Sequence, residues 1–548
     1  MKGKGGARDW ILAIGAGLVW ACAFPPVPPP WALAFAWVVP GLLLWVTCAE
    51  PRRAFLLGMV AGVAHYFSSL CWLLYIPVSP GNYAGWFALS GYCSLYPAVW
   101  AAFCWRLFPG DREKSIAEAL ADLPICRRAI WGLACALGWV ALECLRGWGI
   151  SGFPWNYLGA SQLEFTRLAM LAQFTGVLGV SLVVAWVSVG GLLLVWRWCN
   201  EKKFELPMLK ELAGPAGLLV LAIGLGSFAL AQPLGEKRDE LKIALIQPSI
   251  PQMVLWNVQD SEAQHKRFTQ LMDLSERALK KNPDLLVWPE AAQPPWWAVD
   301  QNILIERMDA LEETIRSQGT LRVWGADTQT NKVPYNSAVL LDANDSVLTN
   351  TRHLGRPMYS KQHLVMFGEY VPLKDVFPFL QSLAPVSGFG RGTGPVVFDL
   401  GKAKTSVLIC FEDLVSAMAR KAATPEVDFL LNLTNDGWFG NIHQQWQHMR
   451  SAAWRAIETR RPLVRCTNNG ITGWVDEHGQ FHGVLEPVHS PRVNVVTVPI
   501  RRGPHGATFY QRTGDWLAWG AVVVCLGLLA AQCWQRRNGS ASAAIPDK

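Results

Sequence analysis

At 548 residues, 51% of them apolar and only 17% charged, the chain is too apolar for an ordinary soluble enzyme of this size. Its net charge of +7 comes from Lys and Arg lying mostly between apolar runs, a distribution that suits membrane topology control and leaves no basic stripe for nucleic acid. Of 13 cysteines only Cys410 and Cys466 fall in the long polar region, neither in a CxxC or His-rich spacing, so no disulfide scaffold, metal or cofactor is expected.

Apolar runs near the length of a bilayer span occur at 10–24, 31–49, 54–76, 86–107, 129–146, 168–196 and 211–232, and once more at 515–534. The loops between them alternate in charge. Lys2, Lys4 and Arg8 precede the first run, Arg52 and Arg53 follow the second, Arg106 to Arg128 follow the fourth, and Arg197, Lys202 and Lys203 follow the sixth. Loops 25–30 and 77–85 carry no charge. The positive-inside rule then puts the N-terminus in the cytoplasm and residues 233–514 on the far side, and Arg536, Arg537 and Lys548 return the C-terminus. The expected layout is a transmembrane region of about seven helices at 1–232, an extracytoplasmic domain at 233–514, a last transmembrane helix at 515–534 and a cytoplasmic tail at 535–548.

Within 233–514, short β-branched runs alternate with amphipathic helical patterns, the signature of an α/β domain. Strands are expected at 242–249, 284–289, 321–327, 335–342, 404–411, 428–434, 463–468, 471–476 and 493–499, and helices at 260–281, 301–318 and 443–460. In the last helix Trp446, Met449, Ala453, Ala456 and Ile457 share one face.

Three segments carry reactive side chains, two of them at strand ends. Glu290 closes Asp284-Leu-Leu-Val-Trp-Pro-Glu290, where desolvation raises a carboxylate toward a useful general base. A solvated strand end explains it equally well. Lys361, in Tyr359-Ser-Lys-Gln-His363, suits an oxyanion or thiolate stabiliser, with Glu369 placed to orient it. His363 offers a lesser, Cys-His alternative. Cys410 ends Ser406-Val-Leu-Ile-Cys410 ahead of Phe411, Glu412 and a helical pattern, so that helix N-H groups would favour its thiolate. A cysteine buried at a strand end is also an ordinary core residue, and that segment alone leaves both readings open.

Taken in chain order, Trp288-Pro289-Glu290, Lys361, Cys410-Phe411-Glu412, Asn435-Asp-Gly-Trp-Phe-Gly440 and Arg455-Ala-Ile-Glu-Thr-Arg-Arg-Pro462 leading to Asn468-Asn469-Gly470 resemble the nitrilase superfamily. With spans on both sides, and with Glu143 to Trp155, Gln247-Pro-Ser-Ile-Pro-Gln252, Trp256 and Tyr510-Gln-Arg-Thr-Gly-Asp515, the whole chain resembles the apolipoprotein N-acyltransferases of the bacterial inner membrane.

That resemblance implies a polytopic α-helical membrane region joined to a nitrilase-like αββα sandwich on the periplasmic side. It implies transfer of a fatty acyl chain from a phospholipid, phosphatidylethanolamine-like, through a Cys410 thioester to the α-amino group of a diacylglyceryl apolipoprotein. Glu290 would be the proton acceptor, Lys361 the oxyanion stabiliser, Glu369 and Glu412 supports, and Trp256, Phe411, Trp438 and Phe439 substrate contacts, with Trp296 and Trp297 as further aromatic guides. Two positions depart from the family pattern: Phe411 stands where Tyr is usual and Met366 where Pro is usual. The alternatives are a membrane-tethered amidase or hydrolase using the same three residues, and a transporter carrying a binding domain, with Glu143 and Arg146 as its intramembrane charges.

Overall fold

A computed structural model describes residues 6–201, 206–347, 355–374, 376–378, 388–501 and 506–542. Lys2, Lys4, Lys202, Lys203 and Lys548, used above for topology, lie outside the described residues, as do the side chains of Trp296 and Arg537. The chain divides into two compact units. One comprises Met1–Cys71, Gly85–Ala231 and Thr513–Lys548, and the other Trp72–Ala84 and Gln232–Arg512.

The first unit is helical. Five described helices are long and apolar enough to cross a membrane: Gly81–Arg106, Ile125–Trp148, Val177–Cys199, Met208–Ala231 and Trp516–Arg536. Pro29–Ala36 and Val39–Val46 pass the same test together, bent by 45° where Pro40 enters the second segment. Two expected spans fall short of it. Helix Ala7–Ala21 has 15 residues, and Pro51–Ser69 carries Arg52, Arg53 and His65. Packing there is close: a Cβ on Gly58 would come within 2.7 Å of the Pro97 carbonyl oxygen, and one on Gly62 within 2.7 Å of Pro97 Cγ. Glu143 and Arg146 are both buried and hold one loop. Glu143 Oε1 accepts from the Leu158 N-H at 2.7 Å, and Arg146 donates to the carbonyls of Phe153 at 3.1 Å and Trp155 at 2.5 Å.

The second unit is built on two six-stranded sheets. The first runs β12-β1-β2-β3-β4-β5, with β1 Lys237–Gln247, β2 Leu285–Trp288, β3 Leu321–Thr330, β4 Val333–Leu341, β5 Met358–Ser360 and β12 Arg492–Arg501. The second runs β11-β10-β9-β8-β7-β6, with β6 Val397–Asp399, β7 Lys404–Ile409, β8 Phe429–Thr434, β9 Leu463–Thr467, β10 Gly473–Val475 and β11 Phe481–His482. The triplets β1-β2-β3 and β7-β8-β9 are parallel, and the outer pairings are antiparallel.

Strand alternation sorts the side chains into two cores. Leu241, Ile243 and Leu245 of β1 join Val287, Val323, Val407, Ile409, Leu431 and Val464 in a core shared by both sheets. Ala244, Ile246, Leu286 and Trp288 face the other way, onto helices Ser261–Leu279 and Gln301–Gln318. Helices Ser416–Ala422 and Gln444–Thr459 contact the second sheet at β7 and β9. The result is the expected αββα sandwich. Short β5, β6 and β11 were not anticipated, because two or three residues show no period.

Candidate active site

The site lies where the parallel strands end, as open α/β sheets favour. β2 runs out at Trp288 and Glu290 follows two residues later. Gly325 of β3 lets that turn approach, since a Cβ there would stand 2.8 Å from the Glu290 Cα. Ala291, next in line, has φ +50°, and Arg267 Nη2 donates to the carbonyls of Ala291, Ala292 and Gln293 at 2.6, 3.0 and 3.0 Å. The Glu290 carboxylate is therefore held by its backbone as well as by its own partners. Oε1 accepts from Asn336 Nδ2 at 2.7 Å, and Oε2 accepts from the Asn435 N-H at 2.8 Å.

Lys361 follows the edge strand β5, anchored through its N-H to the Asn336 carbonyl at 2.8 Å. Its ammonium is buried, 2.8 Å from Glu369 Oε1 and 3.6 Å from Glu290 Oε1. Asn336 Nδ2 also reaches Glu369 Oε1 at 3.2 Å, and Glu369 Oε2 accepts from the Val365 N-H at 2.8 Å. One cation thus serves two carboxylates. Burial raises the Glu290 carboxyl above its usual range, Lys361 opposing and Glu369 reinforcing the shift. Lys361 is held above its ordinary value: burial acts against its charge, but Glu369, Cys410 and Glu290 outweigh it.

Cys410 takes φ +54°, an uncommon conformation for a non-glycine residue, at the start of a single 3-10 turn, Cys410–Leu414. The strand expected to reach 411 stops at Ile409, and Cys410 is a half-buried residue packed against the core between the two sheets. Glu412 secures this turn to the Lys361 segment. Its Oε1 accepts from the N-H groups of Gln362 at 2.7 Å and His363 at 2.9 Å, and its Oε2 from Tyr359 Oη and the Ile409 N-H, both at 2.8 Å. The expected thiolate is reversed. Burial, and then Glu290, push the Cys410 thiol well above its ordinary value, while Lys361 and the Thr434 side chain pull the other way. A five-residue turn supplies no long helix to favour the anion, so the resting group is a thiol that needs a base.

The structure therefore brings Glu290, Lys361, Glu369, Cys410 and Glu412 into one site. The aromatic residues named from the sequence pair with other rings. Trp256 meets Trp438 edge-on at 4.9 Å, Phe439 meets Trp72 at 4.7 Å, and the Phe411 ring lies against His363 at 6.0 Å. Gln252, opening the short helix Gln252–Trp256, accepts from Asn435 Nδ2 at 2.8 Å, which links Trp256 to the loop anchoring Glu290. Trp297 is exposed.

Sequence reasoning missed Asn336, Arg267 and a buried ionic group beneath the turn: Asp413, Asp436, His448 and Arg465. No local pattern marked them: in helix Gln444–Thr459 the polar Gln447, His448, Arg450 and Arg455 are buried alongside the apolar face. Among the described residues, no three His, Cys, Asp or Glu side chains gather as a metal site.

Comparison with known proteins follows the same division. Residues 242–499 match the family model Carbon-nitrogen hydrolase, and residues 16–190 match Apolipoprotein N-acyltransferase N-terminal domain. The chain is 32% identical to the Apolipoprotein N-acyltransferase of Geobacter metallireducens, covering 97% of this chain and 96% of that one. It is 30% identical to that of Methylococcus capsulatus, over 98% and 97%. Among solved structures, an amidase of the nitrilase superfamily from Nesterenkonia is 20% identical with TM-score 0.33, covering 53% of this chain and 99% of that one.

Proposed function

The chain belongs to the apolipoprotein N-acyltransferase family, and from that premise we propose that Cys410 carries a fatty acyl chain from a phospholipid to the N-terminal amine of a lipoprotein. The observation that carries this reading is the convergence of a carboxylate raised by burial, a buried ammonium and a thiol on a positive-φ turn at the ends of β2, β5 and β7. Glu290 removes the thiol proton as sulfur attacks the ester carbonyl carbon, and Lys361 stabilises the oxyanion. Collapse breaks the C-O bond, Glu290 returns the proton to the departing lysophospholipid hydroxyl, and a thioester remains. The α-amino group of the diacylglyceryl cysteine then attacks that thioester. Glu290 takes its proton and passes it to the leaving sulfur, giving an amide and a restored thiol.

Glu369 and Glu412 act as positioning residues in this scheme, one orienting Lys361 and the other joining the Lys361 segment to the Cys410 turn. The donor is phosphatidylethanolamine-like, and Trp256, Phe411, Trp438 and Phe439 contact the lipids. Residues 233–514 face the periplasm from the bacterial inner membrane, between a transmembrane region at 1–232 and a last helix at 515–534, and both termini, including the 535–548 tail, are cytoplasmic. Arg52, Arg53 and Arg197, set against charge-free loops 25–30 and 77–85, support that orientation, which also requires Ala7–Ala21 and Pro51–Ser69 to cross.

The test is the intact mass of the full chain after incubation with phospholipid. One acyl adduct on Cys410 that moves to an added diacylglyceryl lipopeptide amine is expected. Release of the adduct to water alone would identify a hydrolase, and no adduct at all would refute the scheme.

A further inference from the structure

At Asp413 of the Cys410 turn four ionisable side chains meet out of contact with water. His448 Nε2 lies 2.9 Å from Asp413 Oδ1 and His448 Nδ1 lies 2.8 Å from Asp436 Oδ1. Arg465 pairs with Asp413 through Nη1 and stands 3.7 Å from Asp436 Oδ2 through Nη2. Gln444 Nε2 adds a bond to Asp436 Oδ1 at 3.3 Å. A neutral imidazole has one N-H and would turn a lone pair toward one of the two carboxylates. Only the imidazolium donates to both. In that form two positive and two negative groups balance, which a fully buried cluster needs.

The two carboxylates belong to the two chain segments that the reaction must keep in register. Asp413 is three residues beyond Cys410 in the same 3-10 turn. Asp436 directly follows Asn435, whose N-H holds Glu290 Oε2. We propose that His448, as an imidazolium bridging Asp413 and Asp436, is a positioning residue that ties the nucleophile turn to the Glu290 anchor and cancels the charge of Asp436 beneath the thiol. The proposal rests on Cys410 being the acyl carrier.

Its pH dependence follows from the groups facing the ring: Asp413 from the turn after β7, Asp436 from the loop after β8 and Arg465 from β9. Burial opposes the charge on His448 and Arg465 opposes it further, but Asp413 and Asp436 outweigh both and raise it from 6.5 to about 9. In the folded protein the bridge therefore persists until pH rises through about 9, while the stability it contributes is fully present below the ordinary value of 6.5 and is lost over that interval. Losing it uncovers Asp436, which pushes the Cys410 thiol up.

The test uses the full chain in detergent and reads Cys410 modification by mass. In His448→Gln the iodoacetamide profile against pH shifts upward, with alkylation at pH 8 slowed by about tenfold. His448→Gln/Asp436→Asn, which restores the charge balance, recovers most of that loss. Profiles of wild type and H448Q that superimpose, or a double variant no faster than H448Q, overturn the assignment. If H448Q does not fold, the wild type decides. Its single-turnover acylation by a nitrophenyl fatty ester, which has no titrating group of its own, falls with a midpoint near pH 9, and a rate still level at pH 10 overturns the proposal. A wild type that forms no adduct on Cys410 refutes the catalytic reading beneath, whereas an adduct with unshifted profiles refutes only the role of His448.

Discussion

Two buried ionic clusters flank the Cys410 turn, and they differ by one charge. On one side Lys361 faces Glu290 and Glu369, one cation against two carboxylates. On the other, His448 and Arg465 face Asp413 and Asp436, two against two when the imidazole is protonated. The first set is left with an excess negative charge, and burial, reinforced by Glu369 and opposed by Lys361, pushes Glu290 up. In the second every charge has a counterpart. There Asp436 is held below its usual range, since burial, which would raise it, is outweighed by His448 and Arg465. A site that must move protons is kept unbalanced, and the support beneath it is kept neutral.

The comparison is broken most completely by removing what lies between the clusters. Cys410→Ala abolishes the acyl adduct in intact-mass measurement while the chain still elutes as a folded species, and any surviving adduct would assign the chemistry elsewhere. Next comes the cation of the unbalanced side. Lys361→Met lowers the single-turnover acylation rate by about a hundred- to a thousand-fold, the scale of a lost oxyanion donor. A variant within a few-fold of wild type would remove Lys361 from that role.

On the balanced side the effect should be on stability. Arg465→Met leaves Asp413 facing one cation fewer and costs about 3–5 kcal/mol, the scale for breaking a buried ion pair, read as a lower unfolding temperature in detergent. An unchanged transition would mean that water reaches the cluster.

Titration sharpens the contrast. In the proposed mechanism Glu290 acts as a base only when ionised, and its folded value lies above the ordinary 4.5, so acylation is expected to fall as pH drops through a midpoint above 4.5. Its charged form is the less stable one in the fold, so this carboxyl adds stability below 4.5 and loses it as pH rises through the raised value. Glu290→Gln should remove that acid limb along with most of the rate. The smallest effect is expected at Phe411, whose ring lies against His363. Phe411→Tyr adds one hydroxyl and should change the acylation rate by no more than about threefold, a fraction of a kcal/mol.

Much of the site was legible because strand ends are legible. An apolar run that closes on Glu290 or Cys410 announces a polar group at the rim of a sheet, and helix Gln301–Gln318 falls on the residues its amphipathic pattern indicates. The thiol's charge state was misjudged for a tertiary reason. Local pattern suggested a helix N-terminus, but the thiol is raised first by burial between segments that only folding brings together and then by Glu290, 120 positions away in sequence. His448 was overlooked because a helix buried nearly all round gives its polar residues no solvent face to mark them out.

Read as sequence alone, this protein is a chain with apolar helices before and after one α/β segment, with a glutamate, a lysine and a cysteine in a family's order, and so much local chemistry determines. Register between the segments bearing those residues is a matter of long-range contacts. Asn336 and Asn435 deliver the Glu290 partners, Glu412 joins the Lys361 loop to the Cys410 turn, and His448 spans two carboxylates. Those bonds connect residues up to 145 positions apart. No local period encodes such distances, so only the folded sheets decide which charges meet.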